Sequence, residues 1–298
     1  LWLQLASLYR WVNEVPRSIT FANHSLRAAG TDFSRGRAHR ILGYVYWMLD
    51  EYAISRDHLM QALECHTTEG DAHELASTYW NLAMVDNVEG HPEAARQDCL
   101  KGFELLKGTS SLKPRDHLLM GRLLNNMALI NTDRGDVHRS IADYEKSIEH
   151  WSFVEDRRFL ALAYNNLGDA LLAVGEWKRA EAALLTSLQY IRQSSSRRSE
   201  STVLLTLADL QLYQGKLDQS METAMNAFSL ARERSLKSSE ADCWLTLGHI
   251  HQAASRYADA MVCFNTCLEL EERMGRMVQL PETLIALGEL TLDTGDRD

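Results

Sequence analysis

Residues 159–187 read FLALAYNNLGDALLAVGEWKRAEAALLTS, and this stretch decides the fold. Apolar residues recur at helical spacing on both sides of Gly175-Glu176, so the stretch predicts two amphipathic helices joined by a tight turn. A glycine at the joint permits the left-handed backbone conformation that ends a helix. The stretch therefore predicts one pair of antiparallel helices.

The same pattern returns about every 40 residues along the chain. A Leu or Met followed by Gly or Ala stands at Leu5-Ala6, Leu42-Gly43, Leu82-Ala83, Met127-Ala128, Leu167-Gly168, Leu207-Ala208, Leu247-Gly248 and Leu287-Gly288. Twelve residues after the Gly or Ala, from Ser18 to Ala260, the residue is always Ser or Ala. Small side chains in these columns let paired helices approach closely. We predict an all-α chain that stacks antiparallel helix pairs into an α-solenoid.

These columns also predict how the chain is divided. We expect a single array over residues 1–298, with repeats that start near residues 1, 36, 76, 121, 161, 201, 241 and 281. The last repeat holds only its first helix and residue 1 is not Met, so we expect a fragment of a longer protein. Extra residues fall at 107–116, where Gly108 and Pro114 predict a loop. This segment is either a hinge or a plain insertion.

Composition excludes several classes of protein. No apolar run approaches the length of a membrane-spanning helix, and no secretory signal precedes the first repeat. The net charge of -10 repels nucleic acid, so we expect no nucleic-acid partner and no membrane. Five cysteines, an odd number in a long chain, favour a reducing compartment, and we expect a cytoplasmic protein.

The repeated pattern resembles the tetratricopeptide repeat, in which W-x2-L-G-x2-Y is followed by small, aromatic and small positions. One copy in this chain consists of Tyr164, Leu167, Gly168, Leu171, Ala180, Leu184 and Ser187. The period of about 40 residues is longer than the usual 34, and the Pro that ends the repeat is absent. Such long repeats resemble those of kinesin light chains, Pins-type scaffolds and the sensor arms of MalT-like signal-transduction ATPases. The resemblance implies a right-handed α-solenoid (superhelix) of antiparallel helix pairs.

Asparagines precede the Leu or Met column in three consecutive repeats. They are Asn81, Asn126 and Asn166, with Asn125 and Asn165 one residue earlier. In kinesin-light-chain-like and Pins-like arrays, Asn at this column holds an extended peptide, and the resemblance implies the same role here. An amide suits this role because it both donates and accepts hydrogen bonds. The alternative is that these amides bond to nearby helix ends or to water.

Other groove candidates flank the asparagines on the first helix of each repeat, the helix that lines the concave surface of such arrays. The early repeats carry three arginines that can bind a carboxylate, Arg37, Arg40 and Arg122. The later repeats are acidic, with Asp169, Asp209, Asp242 and Glu289 on the same face. Trp47 and Trp80 offer an apolar anchor for a partner. For each charged residue the alternative is a solvated helix face, and for each aromatic residue it is ordinary packing.

Catalytic and metal-binding patterns are weak. Cys263 and Cys267 lie four residues apart, with His249 and His251 on the preceding predicted helix, but Cys267 falls in a small packing column. We therefore predict that both thiols are buried as small apolar groups rather than bound to zinc. No motif of a hydrolase, metalloprotease or phosphate-binding loop is found. We expect no enzyme activity, no metal and no cofactor.

These patterns favour a protein–protein interaction module. It would bind a peptide segment or a partner domain in the concave groove, as the scaffold or regulatory part of a larger signal-transduction protein. The partner is either another protein or another domain of the same parent chain. One alternative is the effector-sensing arm of a bacterial regulator, which binds a small ligand in a closed pocket near Trp47 and Trp80. A further alternative is a self-association module.

Overall fold

The computed structural model describes residues 1–11, 14–193, 199–275 and 280–294. Every regular element in these residues is an α-helix, which confirms the predicted all-α fold. The chain divides into two compact units, Leu1–Glu155 and Asp156–Asp298. None of the described helices combines the length and the apolar character needed to cross a lipid bilayer.

Each unit is a stack of helix pairs. The first unit contains α1 (Trp2–Trp11), α2 (Val15–Arg27), α3 (Asp32–Trp47), α4 (Tyr52–Glu69), α5 (Ala72–Val88), α6 (Pro92–Lys107), α7 (Pro114–Asp133) and α8 (Val137–Trp151). The second unit contains α9 (Arg157–Ala173), α10 (Trp177–Gln193), α11 (Glu200–Tyr213), α12 (Leu217–Glu233), α13 (Lys237–Ala253), α14 (Tyr257–Met274) and α15 (Leu280–Thr294). Each odd-numbered helix from α1 to α13 packs against the helix that follows it. We call odd-numbered helices first helices and even-numbered helices second helices.

The small columns let the paired helices touch. A Cβ atom on Gly168 would lie 2.7 Å from side-chain atoms of Leu184, and one on Gly248 would lie 2.3 Å from the ring of Phe264. Three serines in the next small column, Ser18, Ser55 and Ser220, each donate a hydrogen bond to the carbonyl of the Gly or Ala twelve residues earlier, at 2.9, 2.7 and 2.7 Å. The small residues in these columns therefore allow the two helices of a pair to make direct contact.

The residue between the helices of a pair has the predicted left-handed conformation. Positive φ angles occur at Asp50 (60°), Gly90 (79°), Gly135 (77°), Gly175 (76°), Gly215 (73°) and Ser255 (57°). At the glycines this conformation carries no steric cost, because glycine has no Cβ atom. The corresponding Asn13 and Gly295 lie outside the described residues.

Buried carboxylates at the starts of first helices hold consecutive repeats together. Glu200, at the start of α11, is buried and accepts a 2.9 Å hydrogen bond from Arg192 of α10. Glu74, in the first turn of α5, is buried and accepts two hydrogen bonds from Arg40 of α3. A buried charge that lost its partner would strongly destabilise the fold. These ion pairs therefore contribute to the stacking of neighbouring repeats.

Candidate binding grooves on the first helices

The first unit has a small pocket lined only by first helices. It has a volume of about 160 Å³ and is lined by Trp47 of α3, Ala83, Met84, Asn87 and Val88 of α5, and Asn126, Leu129 and Ile130 of α7. We call it the Trp47 pocket. Six of its eight lining residues are apolar, and two of these, Val88 and Leu129, are exposed to solvent. The amides of Asn87 and Asn126 provide its polar groups.

Unsatisfied polar groups lie in and beside this pocket. The indole Nε1 of Trp47 is buried and has no hydrogen-bond partner, and the same holds for Trp80. Asn81 is 2% exposed, and neither its amide nitrogen nor its amide oxygen has a partner. Asn81 precedes the pocket residue Met84 by one helical turn on α5. Such buried groups ordinarily find a partner, so their number here is unusual.

Trp80 belongs to an aromatic cluster in the same unit. Its ring stacks against Tyr44 with the ring centres 6.3 Å apart, and Tyr44 also contacts Trp47 at 5.7 Å. The guanidinium of Arg122 lies 5.1 Å from the centre of a Trp80 ring, within the range of a cation–π interaction. Trp80 also packs on the apolar core formed by α5, α6 and α7. This cluster therefore serves packing as well as the surface near the pocket.

The second unit has a larger groove, whose described lining residues also belong to first helices. It has a volume of about 740 Å³ and draws its lining from α9, α11, α13 and α15. Its lining residues include four carboxylates, which are Asp169, Asp209, Asp242 and Glu282. We call it the acidic groove.

The carboxylates of the acidic groove influence one another. Burial raises the pKa of Asp209 to about 7, and the charges of Asp169 and Glu282 add to this effect, whereas a hydrogen bond with Thr246 opposes it. The pKa of Asp169 is also raised, by partial desolvation in the groove and by Glu282. Burial lowers the pKa of His249, the histidine in this lining, and therefore favours its neutral form.

A smaller cavity adjoins the acidic groove. It has a volume of about 170 Å³, and Thr202 lines both cavities. We call it the Asn165 pocket, because the Oδ1 atom of Asn165 is buried there without a hydrogen-bond partner. Arg158 also lines it, but its guanidinium donates hydrogen bonds to both carboxylate oxygens of Asp156, from Nε to Oδ1 and from Nη2 to Oδ2. Asn165 and Asp169 lie one turn apart on α9, so the two cavities follow one helix face.

The residues predicted to bind a partner lie in different environments. Asn81, Asn125 and Asn126 belong to the first unit, whereas Asn165, Asn166 and Asp169 belong to the second. Asn125 is buried, and Asn126 and Asn166 are half-buried. Of the full set of predicted residues, Trp47, Asn126, Asn165 and Asp169 line the cavities. Arg40 is held by Glu74 and Arg122 by Trp80.

Sequence reasoning did not identify Glu282 as a groove residue. The repeat spacing could have identified it, because Glu282 follows Asp242 by 40 residues, just as Asp209 follows Asp169. The repeat period places both pairs at matching positions on first helices of successive repeats. Sequence reasoning also missed Asn87, which lines the Trp47 pocket.

Two groups with metal-like composition have ordinary roles. Cys263 and Cys267 are buried, as predicted, and burial raises the pKa of the Cys263 thiol to about 11. Asp86, Glu89 and His91 lie close enough together to hold an ion. Arg56, however, forms ion pairs with both of these carboxylates. Neither group therefore offers a ligand set that needs a metal.

Comparison with known proteins identifies the repeats. Models of the tetratricopeptide repeat match residues 119–193 and 241–273. No curated protein matches the sequence at a significant level.

Solved structures share the fold at low sequence identity. Aspartyl phosphate phosphatase F from Bacillus subtilis is 15% identical, with a TM-score of 0.67 over 90% of this chain and 66% of that one. The apo quorum sensor NprR from B. thuringiensis is 14% identical, with a TM-score of 0.66 over 97% and 86% of the two chains. A Rap protein complexed with competence and sporulation factor is 15% identical, with a TM-score of 0.63 over 98% and 84%. The chain thus carries tetratricopeptide repeats in a solenoid fold of stacked helix pairs.

Proposed function

We propose that this chain is a protein-interaction module that binds a peptide segment or a partner domain on the faces of its first helices. The observation that carries the proposal is that every described residue lining the Trp47 pocket and the acidic groove belongs to a first helix. Tetratricopeptide arrays present extended surfaces of this kind to their partners. The module would be the scaffold or regulatory part of a larger protein.

The size of the Trp47 pocket favours a peptide. At about 160 Å³ it is smaller than the pockets that enclose drug-sized molecules, which start at about 300 Å³. One apolar side chain of a peptide would fit against Met84 and Leu129. The amides of Asn87 and Asn126 lie in the same lining, where they can pair with peptide groups of either hydrogen-bonding sense.

The structural relatives are consistent with this role. One of them is a Rap protein complexed with competence and sporulation factor, and another is a quorum sensor. The likeness to a phosphatase rests on fold at 15% identity and carries no catalytic residues over to this chain. We propose a binding role without catalysis.

The test begins with peptides selected on the immobilised protein from a random display library. Asn126→Ala should weaken a peptide that occupies the Trp47 pocket about tenfold, because one amide contact is lost. Gln97→Ala is the matched control, since it removes an exposed amide from the second helix α6. Circular dichroism would verify that both variants keep the helical fold. If Gln97→Ala weakens binding as much as Asn126→Ala, the assignment to first helices is wrong.

A second candidate function is the sensing of a small effector. The buried and unpartnered side-chain groups of Asn81 and Trp80 favour it, because a polar ligand could satisfy them. A thermal-shift screen against metabolites tests this function, since a ligand that binds only the folded state raises the melting temperature. A metabolite that stabilises the wild type and not Asn81→Leu would support sensing over peptide binding.

A further inference from the structure

Acidic side chains dominate the charge of the acidic groove over the ranges that the structure describes. Carboxylates come from four first helices, as Asp169 of α9, Asp209 of α11, Asp242 of α13 and Glu282 of α15. Among the residues that the structure describes, no Lys or Arg lines the groove. His249 adds no lasting positive charge, because burial lowers its pKa. The described part of the lining therefore concentrates negative charge on one surface.

Hydrogen bonding in the adjoining Asn165 pocket points to a ligand that carries hydrogen-bond donors. The Oδ1 atom of Asn165 is a buried acceptor without a donor. The cation of that pocket, Arg158, is already engaged by Asp156 through three hydrogen bonds between its side chain and the carboxylate. A ligand that carries N–H donors would satisfy Asn165 at no cost to this ion pair. This second observation is independent of the carboxylates.

Apolar side chains also line the acidic groove. Leu172, Leu205 and Leu212 line it beside the carboxylates, so long methylene chains would find apolar contacts. A groove of about 740 Å³ is large enough for several residues of an extended peptide. Lysine and arginine combine such a methylene chain with a positive, donor-only head group.

We propose that the acidic groove of the second unit binds a peptide segment that carries Lys or Arg side chains. Asp169 and Asp209 receive the cationic head groups, and the Asn165 pocket receives a further donor of the same segment. The inference rests on the proposed function, because it names the class of partner for one of the two first-helix surfaces.

The test uses a short labelled peptide of alternating Ala and Lys, with matched peptides in which every Lys is replaced by Gln or by Glu. Fluorescence anisotropy would give each affinity on the whole chain at low and physiological salt. We expect the Lys peptide to bind at least about tenfold more tightly than the Gln peptide, and the Glu peptide to show no binding. Spermidine, which has amines without a peptide backbone, should bind more weakly than the Lys peptide.

A matched pair of variants separates the groove from the general negative charge of the protein. Asp169→Asn with Asp209→Asn removes two charges from the groove and should weaken the Lys peptide about tenfold. Asp218→Asn with Glu222→Gln removes two charges from exposed positions on α12 and should change the affinity less than about twofold. Equal weakening by both double variants would overturn the proposal.

The remaining outcomes distinguish this inference from the proposed function. If the Gln peptide binds as tightly as the Lys peptide and the groove variant weakens both, the groove binds peptides but does not select a cation. If spermidine binds more tightly than the Lys peptide, the ligand is a polyamine and the peptide assignment fails. If no peptide or polyamine binds, the inference fails at this groove, whereas the Asn126 experiment still decides the proposed function at the Trp47 pocket.

Discussion

The side chain of Leu184 fills the space that a Cβ atom on Gly168 would need. An ideal Cβ there would lie 2.7 Å from both Cγ and Cδ2 of Leu184, closer than such atoms approach in folded proteins. Gly168 belongs to α9 and Leu184 to α10, so this contact fixes how closely the two helices of one pair approach. This contact explains why the column after the Leu or Met holds a Gly in this repeat.

We predict that Gly168→Ala lowers the stability of the second unit by about 1–3 kcal/mol, because Leu184 must shift or leave its rotamer. Gly288→Ala is the matched control, since it lies in the same column and a Cβ there would meet no atom within 4 Å. The control should be neutral or stabilising, because alanine favours a helix more than glycine does. Thermal unfolding followed by circular dichroism would measure both. A Gly168→Ala protein as stable as the control would contradict the packing account.

How much of this structure the sequence predicts depends on the distance between the residues involved. The close contact at Gly168 and the left-handed turn at Gly175 follow from spacings within one repeat, and both were predicted. The depth of Asn81 was not predictable, because a position next to the Leu column gives no measure of how closely neighbouring helices cover it. The electrostatic interaction between Asp209 on α11 and Glu282 on α15 depends on how α11, α13 and α15 pack side by side. Such contacts between repeats are set by the packing of the whole stack.

The free energy of unfolding of the first unit should depend on pH through a pair of histidines. The Nδ1 atoms of His39 on α3 and His58 on α4 lie 3.0 Å apart. Burial lowers the pKa of His39 to about 4, with contributions from His58 and Arg35, and burial lowers the pKa of His58 against the charge of Asp57. The unfolded chain therefore binds more protons than the folded one at mildly acidic pH, and stability falls as the pH falls below about 6.5.

We expect the first unit to lose on the order of 1–2 kcal/mol between pH 7.5 and about pH 5 through this pair. His58→Gln should reduce that loss, because His39 then no longer faces a second imidazole. His138→Gln changes an exposed histidine on α8 and should leave the loss unchanged. Urea unfolding at the two pH values measures these differences. An equal acid sensitivity in all three proteins would show that the pair is not responsible.

Arg40 should act through stability rather than through binding. Its Nε and Nη2 atoms donate hydrogen bonds of 3.1 and 2.9 Å to Oε2 of the buried Glu74. Arg40→Ala should cost about 1–3 kcal/mol, because it removes one of the cations that balance a buried carboxylate. The second substitution Glu74→Gln should restore part of the loss. If Arg40→Ala instead weakens a selected peptide without lowering the melting temperature, Arg40 is a groove residue as the sequence predicted.

Binding of the Lys peptide should be linked to protons through Asp209. Because the pKa of Asp209 is about 7, its carboxyl group is largely neutral at pH 6 and largely ionised at pH 8. The affinity for a cationic peptide should therefore rise about three- to tenfold over this range. Asp209→Asn should flatten the dependence, whereas the exposed Asp218→Asn on α12 should preserve it. A rise that persists in Asp209→Asn would assign the proton to another group.

Side-chain footprinting with hydroxyl radicals shows directly which helix faces a bound peptide covers. On first helices, Leu129 is 41% exposed in the Trp47 pocket and Tyr213 is 66% exposed in the acidic groove. On second helices, Met60 and Met225 are 53% and 50% exposed. A display-selected peptide should protect Leu129, and the Lys peptide should protect Tyr213, while Met60 and Met225 keep their reactivity. Protection of Met60 or Met225, with Leu129 and Tyr213 unchanged, would contradict binding on the first helices.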